Sequence, residues 1–199
     1  MIYNEEYYKT NNYTDYTERA ERYYYLAKDL KNLLESLSLY SSFTSILDYG
    51  CAFGFLMEGF KKLGHHSLKV VGYDISKYAE EIGKNRGNLY LKEAKGYSEI
   101  VIMLDVLEHM TDKEIDTLLT NVESKIIIGR IPCADYNQND FYLGISRSDP
   151  THINCKDKKG WKSLLGNYGY NTIFRLNLPT IYDSTGVFSF IAFKDRKHD

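Results

Sequence analysis

Apolar side chains recur along this chain in two rhythms, and their alternation predicts its architecture. Over residues 14–39 they return at helical spacing. Tyr16, Ala20, Tyr23, Tyr24, Ala27, Leu30, Leu33, Leu34 and Leu37 share a broad face, with Glu18, Glu21, Arg22, Lys28 and Lys31 largely elsewhere. Asp15 or Thr17 can cap an inner start, and Ser41-Ser42 end the helix. Ile46-Leu47 is then a short run of the buried-strand type, broken by a turn between Gly50 and Gly54. A helix follows over 55–64, with Leu56, Phe60 and Leu63 on one face and Gly64 as C-cap. The succession repeats: a strand at 69–74, a helix at 76–83 capped by Ser76, strands at 88–91 and 99–105, a helix from Thr111 or Asp112 to about Val122, and a strand at 125–129. A last helix spans about 159–168. Two alternating strands at 172–178 and 186–193 close the chain.

Seven strands interleaved with helices predict an α/β fold: a doubly wound, mostly parallel sheet with antiparallel C-terminal strands. Residues 1–44 read as an N-terminal helical cap and 45–199 as the sheet domain, with no composition shift between them. Residues 1–12, polar and rich in tyrosine, read as an irregular lead-in. Residues 130–154 show no period and carry Pro132, Pro150, Tyr136, Phe141 and Tyr142, the pattern of a substrate-side insertion. In such sheets ligands sit beyond the carboxyl ends of the strands. Asp48, Asp74 and Asp105 each fall at or just past such an end, so the pattern directs all three to one crevice.

Composition narrows the partners. A length of 199 residues suits one domain with a small extension, and 19 tyrosines against one tryptophan suit either half-exposed Tyr-for-Phe positions or an aromatic-lined cleft. The net charge of -2 gives no basic field for nucleic acid or acidic membrane. Three cysteines (Cys51, Cys133, Cys155) make an odd number without metal-type spacing, so neither a disulfide framework nor a metal site is expected. The first residues carry no basic start or apolar core of a leader, and no run reaches membrane-spanning length. The expectation is a cytoplasmic protein, monomer or homodimer, acting on a small-molecule acceptor.

The turn carries the chemistry. A strand, a small-residue turn and a helix N-terminus leave backbone N–H groups free for a polar ligand. Asp74, about 20 residues beyond, offers an acceptor-only carboxylate suited to ribose hydroxyls, or is an ordinary helix N-terminal acid. The spacing in Gly50-Cys51-Ala52-Phe53-Gly54 does not fit a dinucleotide pyrophosphate, and no P-loop occurs.

In order, Leu47-Asp48-Tyr49-Gly50-Cys51-Ala52-Phe53-Gly54, Val71-Gly72-Tyr73-Asp74-Ile75-Ser76 and Leu104-Asp105-Val106-Leu107-Glu108-His109 resemble class I S-adenosylmethionine-dependent methyltransferases. Among these they are most similar to a small-molecule group with a Val-Leu-Glu-His segment. Asp149-Pro150-Thr151-His152, Trp161, Leu164, Leu165 and Gly169-Tyr170 resemble that group's tail, and the resemblance spans about 45–193. It implies a Rossmann-like fold and S-adenosylmethionine as cofactor, with S-adenosylhomocysteine as product. Gly50, Cys51, Ala52, Phe53 and Gly54 would cradle the methionine end, with Asp48 near its ammonium. Asp74 would hold the ribose, Ile75 the adenine, and Asp105, Val106 and Leu107 the methyl side. Tyr13, Tyr16 and Arg22 are lid candidates.

Ala52 stands where the group has glycine, which the turn tolerates if φ stays negative there. For the acceptor side the candidate bases are His152, beside Asp149, and His109, which can equally be a structural residue. Pro132-Cys133 resembles the nucleophile of pyrimidine-C5 methyltransferases but lacks the accompanying basic surface. The implied reaction is methyl transfer to oxygen or nitrogen of a small polar metabolite, a sugar or nucleotide-sugar first. The alternative is a catalytically silent cofactor- or nucleotide-binding subunit.

Overall fold

The computed structural model describes residues 3–10, 15–37, 43–64, 68–136 and 138–195. Tyr13 and Ser41-Ser42 fall outside these. The chain forms two compact units, residues 1–94 and 95–199.

In the first unit the opening residues are more ordered than their polarity suggests. A 3-10 turn, Tyr7–Lys9, buries Tyr8. A second, Tyr16–Arg19, leads into α1 (Ala20–Ser36), so the α-helix begins later than position 14. Asp15 makes no cap bond and pairs instead with Arg19. Leu26, Ala27, Leu30 and Leu34 form the buried face of α1, whereas Leu37, just past the last turn, is 43% exposed.

β1 (Ser45–Tyr49), α2 (Phe55–Lys62), β2 (Lys69–Tyr73) and α3 (Lys77–Asn85) follow. β1 and β2 are parallel, from Ser45 opposite Lys69 to Tyr49 opposite Tyr73. Ser76 caps α3 by accepting from the Ala79 N–H at 3.1 Å. The α1 and α2 backbones approach closely because Gly59 has no side chain. A Cβ there would lie 2.8 Å from Ala27 Cβ and 2.9 Å from the Tyr23 carbonyl oxygen.

The strand expected at 88–91 reduces to one parallel bridge between Gly72 and Tyr90. Leu89 is 58% exposed and the Tyr90 hydroxyl turns back to the Ala52 carbonyl, so only one residue pair matches the sheet edge. Among the described residues the main ladders therefore use six strands, not seven.

The second unit begins with β3 (Gly96–Tyr97) and β4 (Ile100–Leu104), then α4 (Asp112–Asn121), β5 (Val122–Glu123) and β6 (Ile126–Pro132). It ends with α5 (Gly144–Arg147), α6 (Lys158–Gly166), β7 (Thr172–Arg175) and β8 (Val187–Phe193). β4 and β6 are parallel, Ile100 opposite Ile126, and both are apolar because both faces are covered. β8 runs antiparallel to β6 and to β7. β3 and β5 form a small parallel ladder that the periodicity does not foretell.

Thr111 and Glu114 close a full capping box on α4, and Asp157 caps α6 through the Gly160 N–H at 2.7 Å. β6 runs to Pro132, past the expected end, since its partner β8 continues to pair there. The stretch expected to be irregular does hold α5 and a bridge between Ala134 and Phe141. The architecture is mixed α/β and Rossmann-like, mostly parallel with an antiparallel C-terminal end. No helix among the described residues is long and apolar enough to cross a membrane.

Candidate active site

The first unit builds its site at the carboxyl end of β1. Gly50, Ala52 and Gly54 have φ of 76°, 45° and 80°, so three of five turn residues are left-handed. Ala52 thus takes the glycine conformation despite its Cβ, so the condition of a negative φ is not met, and it bears a strain on the order of 1 kcal/mol. Two bonds hold it. Its N–H donates to Asp74 Oδ2 at 2.7 Å, and its carbonyl accepts from Tyr90. A Cβ at Gly54 would also come within 2.5 Å of Asn88 Nδ2, so the buried Asn88 side chain would have to shift.

Asp74 follows β2 directly and its second oxygen accepts from the Ser76 N–H at 2.8 Å. It therefore acts as a clamp between the two strand–helix turns rather than as a plain helix cap. Asp48 lies within β1 and is buried. Burial, and then the nearby Asp74 carboxylate, push its acid up to about 7. Ile75, 61% exposed, extends beyond Asp74. Phe53 anchors an aromatic cluster, with Tyr8 at 4.8 Å and Tyr16 at 5.1 Å between ring centroids. Tyr16 thus packs on the turn, while Arg22 is exposed. Tyr8 had no assigned role in the sequence reading; its neighbours in a polar lead-in hide it.

The second unit builds a different kind of site. β4 ends at Leu104, and Asp105 after it is left-handed, with φ of 54°. Its N–H donates to the Arg130 carbonyl at 2.8 Å and its carboxylate pairs with the Arg130 guanidinium at 3.1 Å. Val106 is half-buried, and a 3-10 turn, Leu107–His109, buries Leu107 and Glu108 completely.

The loop around 149–154 is stitched to this turn. The N–H groups of Ile153 and Asn154 both donate to the Glu108 carbonyl at 2.9 Å. That brings His109 and His152, 43 positions apart in sequence, to 4.6 Å between ring centroids. His152 Nδ1 lies 2.9 Å from the Ser146 carbonyl and must donate to it. The Thr151 hydroxyl donates to Asp149 at 2.6 Å and so accepts from His109 Nδ1 at 2.9 Å. Burial, and then its histidine neighbour, push His109 down to about 4, so it is a neutral imidazole at neutral pH.

Glu108 is a buried acid to which the sequence reading gave no role. Its signal was there, an acid preceded by Val106 and Leu107 and followed by histidine. Burial pushes its carboxyl well above the usual range. Cys133 is fully buried and burial pushes its thiol up to about 12, which speaks against a nucleophilic role.

A family model described as a methyltransferase domain matches residues 16–173. The chain belongs to this family. It is an S-adenosylmethionine-dependent methyltransferase of class I. No curated protein matches it. Among solved structures it is similar to a SAM-dependent methyltransferase from Archaeoglobus fulgidus, at 16% identity and TM-score 0.59, covering 84% of this chain and 94% of that one. Magnesium protoporphyrin IX methyltransferase from Synechocystis PCC 6803, with bound SAH, is 17% identical at TM-score 0.59, covering 87% and 84%. The N-terminal domain of EvdMO1, also with SAH, is 14% identical at TM-score 0.63, covering 85% and 81%. Likeness at these identities speaks for the fold alone.

Proposed function

We propose that the Asp48–Asp74 turn binds S-adenosylmethionine and that the protein methylates oxygen or nitrogen of a small polar metabolite, a sugar or nucleotide-sugar first. The observation that carries this is the two-sided grip on Asp74. The Ala52 and Ser76 N–H groups fix both oxygens of its carboxylate, leaving further lone pairs for ribose hydroxyls.

The other residues fit the cofactor's chemistry. Asp48, buried and held up by a second carboxylate, gains from a cationic partner such as an ammonium. Gly50 and Gly54 leave the turn backbone bare, and exposed Ile75 offers an apolar surface for adenine. Tyr16, packed on Phe53, and Arg22 are the cap candidates within segment 1–44, and the family resemblance gives Asp105, Val106 and Leu107 the methyl side. When bound, the cofactor supplies an electrophilic methyl group; the chain's part is to align the acceptor and remove its proton. His152 and His109, with Asp149 and Thr151 behind them, make a hydrogen-bonding cluster suited to a hydroxylated acceptor.

The test is calorimetry with S-adenosylmethionine and S-adenosylhomocysteine. Wild type should bind both, and Asp74→Ala should lose at least about a hundredfold, given charge-assisted bonds of roughly 1.5–3 kcal/mol each. Unchanged binding by Asp74→Ala would sink the assignment. Binding without turnover on any polar acceptor would return the silent-subunit reading.

A further inference from the structure

Glu108 is in an unusual position for a carboxylate. It is fully buried, and among the described residues neither of its oxygens has a hydrogen-bond partner. Such a group suffers the full desolvation penalty of its charge, or, if protonated, that of an O–H without an acceptor. Two imidazoles face it: His109 Nε2 lies 3.9 Å and His152 Nε2 4.0 Å from Glu108 Oε1. Neither distance is a hydrogen bond. Both rings are turned the same way, with Nδ1 donating to the protein, to the Ser146 carbonyl for His152 and to Thr151 for His109. That leaves both Nε2 atoms on the Glu108 side. Imidazoles that ligate metals have this arrangement, one nitrogen on the ion and the other N–H fixed by an oxygen.

We infer that Glu108, His109 and His152 form a binding site for one divalent transition-metal ion. The three donor atoms lie within 4.8 Å of one another. A tetrahedral ion with bonds of about 2.0–2.1 Å needs donors roughly 3.4 Å apart. The two Glu108–imidazole pairs, at 3.9 and 4.0 Å, close by about half an ångström, and the widest pair, within 4.8 Å, by up to about 1.4 Å. Asp149 Oδ2, 3.8 Å from His152 Nε2, is placed to be a fourth ligand or to support that ring. Two imidazoles and a carboxylate select a zinc-, cobalt- or manganese-type ion over magnesium or calcium, which prefer oxygen. The ion supplies the directly bonded partner that the buried Glu108 carboxylate lacks and keeps a coordination position for an oxygen ligand. The inference deepens the acceptor-side reading, since that oxygen would be the acceptor's, but metal binding itself does not depend on methyl transfer.

The full chain, stripped with a chelator and titrated with Co(II), tests it. The expected result is one ion per chain, with visible absorption of a four- or five-coordinate histidine-ligated site. Glu108→Gln and His152→Ala should each weaken binding at least tenfold, and Zn(II) should displace cobalt. Wild type that takes up no stoichiometric ion overturns the inference, as does cobalt affinity unchanged in both variants. S-adenosylhomocysteine binding by the same samples serves as the folding control. A wild type that binds cobalt but not S-adenosylhomocysteine would refute the cofactor assignment and leave the metal site standing.

Discussion

The Asp74 turn and the Glu108 cluster treat buried acid in opposite ways. Around Asp74 each carboxylate oxygen is met by a backbone N–H, so geometry is locked by the main chain before any ligand arrives. Around Glu108 the backbone carbonyl is doubly satisfied, while among the described residues the carboxylate has no hydrogen-bond partner and faces two imidazoles at 3.9 and 4.0 Å. The first region is pre-organised; the second is incomplete without a cation. Each has one non-glycine residue in the left-handed region, Ala52 and Asp105. Strain of this kind persists where surrounding bonds over-determine the backbone, and here both residues follow a parallel strand.

The contrast can be broken in order of effect. Asp74→Ala should act on both binding and stability, because two backbone donors lose their acceptor. A hundredfold or greater loss of S-adenosylhomocysteine affinity should come with a clear drop in the urea midpoint. His152→Ala should do the reverse: turnover falls by roughly a hundredfold or more, as for loss of an acid–base or ligand group, while cofactor affinity is kept. Equal loss of affinity in both variants would erase the distinction between the regions.

Asp48 sharpens it through pH. Its folded value of about 7 lies above the free value of about 4, so between these limits the folded chain keeps a proton that the unfolded chain has lost. Its contribution to stability is therefore greatest at acid pH, declines from about pH 4 to 7 and then levels. A cationic ligand favours the ionised form. Affinity for S-adenosylhomocysteine should accordingly climb across that window by up to about tenfold per pH unit, and Asp48→Asn should flatten the profile. The smallest effect belongs to Ala52→Gly. It removes left-handed strain of about 1 kcal/mol but gives the unfolded chain about 0.4–1 kcal/mol more freedom, for a net gain of no more than about 0.6 kcal/mol, read as a small upward shift in the urea midpoint.

Much of this was open to sequence reasoning because it is local. Apolar periodicity located β1, β2, β4 and β6, and the caps at Ser76 and Thr111 are contiguous signals that the structure reproduces. The turn could be read because strand, glycines and Asp74 follow one another in chain order. Three kinds of fact could not be read. Whether residues 88–91 form a strand depends on where the Tyr90 side chain goes. Tyr8 sits in a polar segment and owes its burial to Phe53, far away in sequence. The meeting of Glu108, His109 and His152 depends on Ile153 and Asn154 binding back to Glu108, a tertiary contact with no trace in residue spacing.

Cys51 lies under β2, against the backbone at Gly72, where any Cβ would come within 2.5 Å of its sulfur. Its thiol is buried, and burial pushes it well above the ordinary range, so alkylating reagents react with it only when the turn breathes open. The protein thereby has a built-in clock. The rate at which Cys51 is alkylated, set against part-exposed Cys155 in the same molecule, counts the openings of the turn and how far an occupying ligand suppresses them.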